Sequence, residues 1–205
     1  MPPAFLYFDM GNVLLRFDHR RATRQMAKVA GVDPLRVWET VFEGDLHRQY
    51  ELGDVDEQGF YEAFCRQTGS HPPLDALLEA ASHMFECNPG TLPLVAQLEA
   101  AGYRLGILSN TNPSDWRFCT GHFGTIPEAF EITVLSFQVH AMKPDRRIFQ
   151  VAADRAKAPP QEIFFVDDRM ENVEGARQVG FDAVHYTSAA ALARELWNRG
   201  VRCNF

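Results

Sequence analysis

Short apolar runs that end on polar side chains recur along this chain, and they constrain its fold more than any other feature. The first run, FLYF at 5–8, is followed by Asp9. Two later runs, LGIL at 105–108 and IFFV at 163–166, are followed by SN and by DD. Apolar runs of this length, bounded by polar or turn residues, are typical of buried strands. The sequence therefore predicts strands that end on polar groups.

From residue 89 onward, strand signals alternate with helical ones. Strands are predicted at 103–108, 132–135, 163–166 and 183–186, and helices at 94–101, 145–156, 171–179 and 190–198. Strands separated by helices form a parallel sheet with helices on its faces. We therefore predict an α/β fold with a Rossmann-like, three-layer core around a parallel sheet.

The segment between the first strand and this alternating region has a different pattern. Apolar residues between 16 and 88 recur at helical spacing, for example in DEQGFYEAF at 56–64. Because Asp9 closes the first strand before this segment begins, we predict that the segment is a helical cap inserted after strand one. The predicted division assigns residues 1–15 and 89–205 to the α/β core and residues 16–88 to the cap.

The polar residues at the strand ends should lie close together, because the carboxyl ends of parallel strands meet at one edge of a sheet. That edge would hold Asp9, Ser109, Asp167 and Asp168, with Lys143 from the segment MKPD beside them. Clustered carboxylates repel one another unless a cation lies among them, and such oxygen ligands favour Mg²⁺. A lysine and a hydroxyl beside that cation could hold a phosphoryl group. Taken singly, an aspartate after an apolar run is more often a helix cap or turn residue, and a lysine such as Lys143 is more often solvated; only their occurrence together reverses this interpretation.

Four short motifs occur in an order that resembles the haloacid dehalogenase-like (HAD) hydrolases. They are FDMGNV at 8–13, LSN at 108–110, KP at 143–144 and VDD at 166–168. Each motif alone is weak, but together, in order and at predicted strand ends or helix starts, they are specific. The resemblance extends over most of the chain, and the helical segment looks like the C1-type cap of the family. The first motif is most similar to the Asp-x-Gly-Asn-Val of bacterial phosphatases, including those that act on hexose 1-phosphates.

The resemblance implies which residues carry the chemistry on the substrate. Asp9 would be the nucleophile that forms an aspartyl-phosphate. Ser109 and Lys143 would act with it by holding the phosphoryl oxygens, and Asn110 would also bind the substrate.

The resemblance also implies a Mg²⁺ site. Its ligands would be Asp9, Asp168 and the backbone carbonyl of Gly11, with Asp167 acting through a water molecule.

The sequence departs from the family at Gly11. Most phosphatases of the family carry a second aspartate at this position, which protonates the leaving oxygen and later deprotonates the attacking water. Positioned acid–base catalysis is typically worth about 10²- to 10⁴-fold in rate. Because the backbone carbonyl of Gly11 is unaffected, the resemblance implies that metal binding survives, whereas the residue that transfers the proton is not identified.

Some polar residues near the motifs keep two interpretations. Asn172 could orient Lys143 or Asp168, or it could be an exposed helix residue. Thr111 and Asn112 could belong to the site, but a capping and turn cluster is the favoured interpretation.

Two features outside the motifs also allow two interpretations each. The segment FEGDLHRQYE at 42–51 mixes aromatic and ionisable residues, so it could face the crevice or form a solvated helix surface. Trp116 could close over a substrate, although a large aromatic residue more often lies in the core or at its edge.

Composition narrows the possible partners. The chain has 205 residues, of which 46% are hydrophobic, so it can bury one core with a smaller appended module. Its 20 Lys and Arg against 27 Asp and Glu give a net charge of -7 without a basic cluster, which argues against nucleic acid as a partner. The sequence shows neither a signal-peptide pattern nor a long apolar run. We expect a soluble cytoplasmic protein, monomeric or homodimeric, with no membrane partner.

These observations predict a Mg²⁺-dependent phosphatase that hydrolyses a small phosphorylated metabolite, such as a sugar phosphate, through an aspartyl-phosphate on Asp9. One alternative is a metal-free haloacid dehalogenase, although such enzymes usually read Asp-x-Tyr-Gly-Thr at the first motif. The other alternative is a catalytically impaired binding module, which only Gly11 supports.

Overall fold

The main sheet of the protein consists of five parallel strands. The computed structural model describes residues 2–124 and 128–203. The strands of this sheet are β1 (Phe5–Phe8), β4 (Leu105–Ser109), β5 (Ile132–Leu135), β6 (Ile163–Asp167) and β7 (Asp182–His185). Their order is β5-β4-β1-β6-β7, with β1 paired to β4 on one side and to β6 on the other. The predicted α/β fold with a parallel sheet is confirmed.

Helices cover both faces of this sheet. They are α6 (Leu92–Ala100), α7 (Pro113–His122), α8 (Ser136–Val139), α9 (Arg146–Ala156), α10 (Met170–Gln178) and α11 (Ala189–Asn198). Because side chains alternate along a strand, Leu6 and Phe8 belong to one apolar cluster, while Phe5 and Tyr7 belong to another. The first cluster includes apolar residues of α6 and α11, and the second those of α9 and α10. Burial on both faces explains why β1 is a continuous apolar run.

A mostly helical insertion follows β1, as predicted. It contains β2 (Leu15–Phe17), α1 (His19–Ala30), α2 (Pro34–Trp38), a π-helical turn (Glu39–Glu43), α3 (Leu46–Leu52), α4 (Glu57–Thr68), α5 (Leu74–Ser82) and β3 (Phe85–Cys87). Its helices bury a third apolar cluster, which includes Met26, Val37, Phe60, Phe64 and Leu77. The insertion is therefore packed around its own core, as a C1-type cap would be. The division of the chain at residues 15/16 and 88/89 stays a prediction.

The sequence did not predict the small antiparallel ribbon at the base of the insertion. In this ribbon, Leu15 pairs with Cys87 and Phe17 pairs with Phe85. Each strand has only three residues, too few to produce a recognisable alternation of apolar and polar positions. The ribbon brings Phe17 back towards the carboxyl edge of the main sheet.

Two further expectations concern single features. Trp116 is partly buried against the cluster that contains Leu6 and Phe8, so its interpretation as a residue at the edge of the core is confirmed. Within residues 2–124 and 128–203, no helix is both long enough and apolar enough to cross a membrane.

Candidate active site

Asp9 lies directly after β1, where the carboxyl ends of three adjacent strands meet. Its backbone N–H donates to the carbonyl of Val166 at 2.9 Å, which continues the pairing of β1 with β6 beyond the last strand residue. Ser109 ends β4 and Asp167 ends β6, on either side of Asp9. The structure therefore brings these predicted site residues to one edge of the sheet, as a parallel arrangement requires.

Lys143 is the central charged group of this edge. Its Nζ donates to Oδ1 of Asp9 at 2.7 Å, to Oδ2 of Asp167 at 2.6 Å and to the carbonyl of Leu108 at 2.8 Å. These contacts use all three N–H donors of the ammonium group. Because Lys143 is only 4% exposed, its charge is balanced by protein groups rather than by water.

Asn110 fixes the backbone that carries this lysine. Its Oδ1 accepts from the backbone N–H of Lys143 at 2.8 Å, and its Nδ2 donates to the backbone carbonyl of the same residue at 3.0 Å. Both polar atoms of the Asn110 side chain are thus used to position Lys143. The expected binding of substrate by Asn110 stays a prediction.

Ser109 is buried at the end of β4. Its Oγ lies 3.3 Å from the carbonyl of Asn110, to which it donates. A hydroxyl group can rotate, so this weak contact leaves it able to turn to another acceptor. The role of Ser109 in holding a phosphoryl group stays a prediction.

Asp167 is completely buried and serves mainly as an acceptor for its neighbours. Besides Lys143, its carboxylate accepts from the Nδ2 of Asn172 at 3.0 and 3.1 Å and from the backbone N–H of Arg169 at 2.8 Å. Asn172 is buried, so its interpretation as an exposed helix residue is wrong. Its side chain donates to Asp167 at the end of β6. The expected partners were Lys143 and Asp168.

Asp168 is more accessible than Asp167 and is held by Asn12. The Nδ2 of Asn12 donates to Oδ2 of Asp168 at 2.8 Å. Asn12 has a φ of 56°, a left-handed conformation that asparagine tolerates better than most residues. The sequence contained this asparagine within the first motif, but spacing alone did not show that it supports Asp168.

The three aspartates could share a metal ion. Asp9, Asp167 and Asp168 each offer a carboxylate oxygen, and these oxygens all lie within 4.8 Å of one another. Burial raises the pKa of Asp9 to about 7, although the nearby ammonium of Lys143 works in the opposite direction. Burial would also lower the pKa of Lys143, but Asp167 and Asp9 outweigh it and raise that pKa above its ordinary value. Three carboxyl groups face one ammonium group at this edge, and this excess of acidic groups suits a cation.

The insertion supplies the opposite wall of the crevice. A cavity of about 430 Å³ lies between the two parts, and the residues that line it include Asp9, Lys143, His19, His47 and Glu51. His47 and Glu51 lie on α3, within the segment 42–51 that kept two interpretations. Both side chains face the crevice, whereas Arg48 on the same helix is exposed. The crevice-facing interpretation is therefore right for these two residues.

Another local prediction is confirmed at the start of α7. The Oδ1 of Asn112 accepts from the backbone N–H of Asp115 at 2.9 Å, so Asn112 is a helix cap. The backbone N–H of Thr111 donates to Oγ of Ser136 at 2.9 Å, which is a structural contact between neighbouring strand ends.

The surroundings of Gly11 explain the departure from the family pattern. A Cβ atom at this position would lie 2.8 Å from Cε1 of Phe17 and 3.9 Å from Oδ2 of Asp9. The Phe17 ring thus occupies the space that a side chain at position 11 would need. The nearest neighbour of position 11, where the family usually has an acid, is therefore an aromatic ring.

A parallel α/β core with a helical cap inserted after its first strand defines a class of capped hydrolases. Residues 6–180 match the haloacid dehalogenase-like hydrolase family, and the chain belongs to this family.

Relatives of the chain differ in the reactions their names state. It is 23% identical to the D-ribitol-5-phosphate phosphatase of Bacteroides thetaiotaomicron over 198 residues, which are 93% of this chain and 95% of that protein. It is 32% identical to an (S)-2-haloacid dehalogenase of Pseudomonas sp. (strain CBS-3) over 104 residues, but these are only 51% of this chain and 45% of that protein.

The fold is also similar to that of a HAD family enzyme from Bacteroides thetaiotaomicron whose crystal structure is a complex with magnesium and inorganic phosphate. The TM-score is 0.81 at 23% sequence identity, over 91% of this chain and 95% of that one. This likeness independently supports the capped α/β fold.

Proposed function

We propose that this protein is a Mg²⁺-dependent phosphatase that hydrolyses a small phosphorylated metabolite through an aspartyl-phosphate on Asp9. The observation that carries the proposal is the position of Lys143, whose Nζ lies within 2.7 Å of both Asp9 and Asp167 at a cluster of three aspartates. An ammonium group beside a possible metal site offers two cationic groups to one phosphoryl group. This arrangement suits phosphoryl transfer, in which catalysis depends on positioning and charge stabilisation.

The donor atoms fit Mg²⁺. Asp9, Asp168 and the carbonyl of Gly11 would be ligands, with Asp167 acting through a water molecule. Carboxylate and carbonyl oxygens are the hard ligands that this ion prefers, and the three carboxylates lie close enough to share it. When bound, the ion would neutralise charge on the phosphoryl oxygens and reduce their repulsion of Asp9. The four hydrogen bonds that Asp167 accepts make it at the same time a positioning residue for Lys143.

The two carboxylate oxygens of Asp9 are not equivalent. Oδ1 accepts the hydrogen bond from Lys143, which leaves Oδ2 for attack on phosphorus. In the first step a bond forms between Oδ2 and phosphorus, and the bond from phosphorus to the leaving oxygen breaks. In the second step water attacks the phosphorus and releases Asp9. Ser109 would hold a phosphoryl oxygen through its hydroxyl, and Asn110 through its backbone N–H, because both polar atoms of its side chain contact Lys143. Lys143 would exchange one of its three present acceptors for a phosphoryl oxygen.

The crevice favours a small polar substrate. Its volume of about 430 Å³ is modest, and its lining includes Asn12, Asn110, Arg169, His47 and Glu51, which can hydrogen-bond to hydroxyl groups. A sugar phosphate or sugar-alcohol phosphate combines such hydroxyls with a phosphoryl group. The relationship to a D-ribitol-5-phosphate phosphatase along almost the whole chain supports this substrate class. So does the resemblance of the first motif to that of phosphatases acting on hexose 1-phosphates.

The experiment that tests the proposal is hydrolysis of p-nitrophenyl phosphate with and without Mg²⁺. We expect turnover that needs Mg²⁺, that EDTA abolishes, and that excess Mg²⁺ restores. Parallel assays with 2-chloropropionate address the dehalogenase alternative. Release of chloride without metal, in the absence of phosphate release, would contradict the proposal, and inactivity in both assays would favour the binding module.

A further inference from the structure

The helix α3 presents an imidazole and a carboxylate to the crevice side by side. His47 and Glu51 are four residues apart, and Nδ1 of His47 lies 3.7 Å from Oε2 of Glu51. The side chains are only 20% and 17% exposed. Residues at this spacing share one face of a helix, and this face lines the same cavity as Asp9 and Gly11.

The pair lies next to Gly11, where the family usually has a second aspartate. Asp115 of α7 also lines the smaller cavity there, but its Oδ2 accepts a hydrogen bond from Nδ2 of Asn112 at 2.7 Å. Phe17 fills the space next to Gly11, so the usual second aspartate has no counterpart on that side of Asp9. His47 and Glu51 line a smaller cavity together with Phe17 and Gly11, next to the same side of the nucleophile. The insertion thus brings ionisable groups to the place where the family usually has a core carboxylate.

The helix that carries the pair is held against the core. The hydroxyl of Tyr50 donates to Oγ of Ser114 at 3.0 Å, and Oγ of Ser136 donates to the carbonyl of Glu51 at 2.6 Å. Gly53, which ends α3 with a φ of 73°, has no room for a side chain because a Cβ atom would overlap the carbonyl oxygen of Phe137. These contacts fix α3, and with it the imidazole and the carboxyl group, in the wall of the cavity that Asp9 also lines.

His47 is better suited to move a proton than the second imidazole of the crevice. His19 stacks on Phe42, with ring centroids 4.6 Å apart, and lies 4.9 Å from the ring of Phe17. Burial lowers the pKa of His19 to about 4, so it stays neutral near pH 7. Burial lowers the pKa of His47 as well, but Oε2 of Glu51 lies 3.7 Å from its Nδ1, so the two groups can exchange a proton.

The electrostatic setting lets the pair hold one proton near neutral pH. Burial lowers the pKa of His47, against the opposing effect of Asp115, and burial raises the pKa of Glu51 to about 7, although Arg169 and Lys143 oppose this. Below about pH 7, Glu51 therefore carries a proton that it can pass to the neighbouring imidazole. The ionisable groups that face the pair from other elements are His19, Asp9, Asp115, Lys143, Asp168 and Arg169.

We infer that His47, supported by Glu51, transfers the proton that the missing aspartate would otherwise transfer. This inference rests on the proposed phosphatase function. In the first step the phosphorus–oxygen bond to the leaving group breaks, and the proton moves from the pair through His47 to the leaving oxygen, which departs as an alcohol. In the second step His47 takes one proton from the attacking water as phosphate leaves Asp9, which restores the pair.

The test measures leaving-group release in a single turnover for wild type and His47→Gln. With an alkyl phosphate, whose leaving oxygen is strongly basic, we expect the variant to be slower by about 10²- to 10³-fold. With p-nitrophenyl phosphate, which needs little protonation, we expect a loss below about 10-fold. The second step loses its base in either case, so His47→Gln should show a burst of p-nitrophenol followed by slow turnover. Glu51→Gln should give smaller changes in the same direction.

The matched control is His140→Asn. His140 contacts the carbonyl of Leu52 at the other end of α3, and asparagine tolerates its φ of 50°. The substitution should weaken the contact between α3 and the core without removing an ionisable group from the crevice. It should therefore slow the hydrolysis of both substrates by the same factor. If His47→Gln also slowed both substrates equally, or gave no burst, the inference would be wrong.

Two further readouts separate the possible failures. Circular dichroism checks whether His47→Gln folds. If it does not fold, Glu51→Gln is compared with wild type on the alkyl phosphate and on p-nitrophenyl phosphate. If Glu51→Gln slowed both substrates by the same factor, the inference would be overturned. If wild type itself showed no Mg²⁺-dependent phosphate release, the proposed function would fail first, independently of either variant.

Discussion

The crevice has two walls that are built in different ways. The first group, which we call the core wall, consists of Asp9, Lys143, Asp167 and Asp168. The second group, which we call the cap wall, consists of Phe17, His19, Phe42, His47 and Glu51. On the core wall, Lys143 has three acceptors within 2.8 Å. On the cap wall, ring centroids lie 4.6 to 5.3 Å apart, and Nδ1 of His47 lies 3.7 Å from Oε2 of Glu51.

This difference indicates which wall determines the reaction and which determines the substrate. A network in which every donor is used has one arrangement, and a change in one member leaves a buried charge without its partner. Aromatic packing tolerates changes in size and shape more easily. We therefore expect substitutions on the core wall to abolish the reaction and substitutions on the cap wall to change its rate, its pH dependence and its substrate.

The largest expected effect is that of Asp9→Asn on the core wall. An amide has nearly the shape of the carboxylate but cannot attack phosphorus, so turnover should fall by about 10⁴-fold or more. Phosphate release from p-nitrophenyl phosphate measures this loss, and a thermal unfolding curve checks that the variant is folded. Turnover of the variant at more than a trace of the wild-type rate would rule out the covalent mechanism.

Lys143→Met should abolish activity and also destabilise the protein. The substitution leaves Asp9 and Asp167 buried without their shared counter-ion, and the loss of one partner from such a pair costs about 3–5 kcal/mol of free energy of unfolding. Urea denaturation at pH 7.5 without Mg²⁺ measures it. The loss should be smaller at pH 5, because a carboxyl group that takes up a proton no longer needs the cation.

Lys28→Met, at an exposed position on α1, is the control and should change stability by less than about 0.5 kcal/mol. Equal losses in the two variants would contradict this account of the core wall.

The two adjacent aspartates of the core wall should respond differently. Asp168→Ala should raise the Mg²⁺ concentration for half-maximal activity by more than about 100-fold, whereas Asp167→Asn should raise it by about 10- to 100-fold, the range for groups that support a metal ligand. Asp167→Asn should in addition lower stability, because it weakens the acceptor of Lys143. Titration of activity with Mg²⁺ tests this order, and equal shifts would show that both carboxylates bind the metal directly.

On the cap wall, Glu51 should make stability depend on pH. Its pKa of about 7 in the folded protein is raised from an ordinary value of 4.5. A raised pKa contributes stability below pH 4.5 that is lost as the pH rises through 7, so the free energy of unfolding should fall over this interval. Glu51→Gln removes this dependence, and its stability relative to wild type should increase from pH 4.5 to pH 7.5 by up to about 3 kcal/mol. Urea denaturation at the two pH values measures the difference. Glu174→Gln, at an exposed position on α10, should follow the wild-type curve.

The smallest expected effect is at the contact between the walls, where Phe17 touches the position of Gly11. Gly11→Ala should lower the free energy of unfolding by about 1–2 kcal/mol, because the Phe17 ring must move. Combination with Phe17→Leu should recover part of that loss, which a double-mutant cycle measures. Strict additivity of the two substitutions would mean that the ring and position 11 do not compete for space.

The strand ends were predictable from the sequence, whereas the cap wall was not. The runs before Asp9, Ser109 and Asp167 identify themselves because burial on both faces of a parallel sheet requires continuous apolar residues. Because the strands are parallel, their carboxyl ends then meet at one edge of the sheet. The position of Lys143 followed from the resemblance, but its three contacts depend on side-chain directions that no spacing encodes.

The cap wall depends on tertiary contacts between distant segments. Phe17 reaches Gly11 only because a ribbon of two three-residue strands turns the chain back, and His47 reaches the crevice only because α3 docks on residues such as Ser114 and Ser136. The role of Asn172 was misjudged for the same reason, since a helix position alone does not indicate which carboxylate lies within reach. Local patterns thus predict the elements, and their packing determines the partners.

The separate apolar core of the insertion has an evolutionary consequence. Among the described residues, its fully buried members, such as Met26, Phe60 and Leu77, belong to neither of the two clusters that flank the sheet. Mutations that repack the insertion can therefore accumulate while the geometry around the nucleophile is conserved. Such mutations can change which substrates bind without loss of activity, as long as they leave His47 and Glu51 in position.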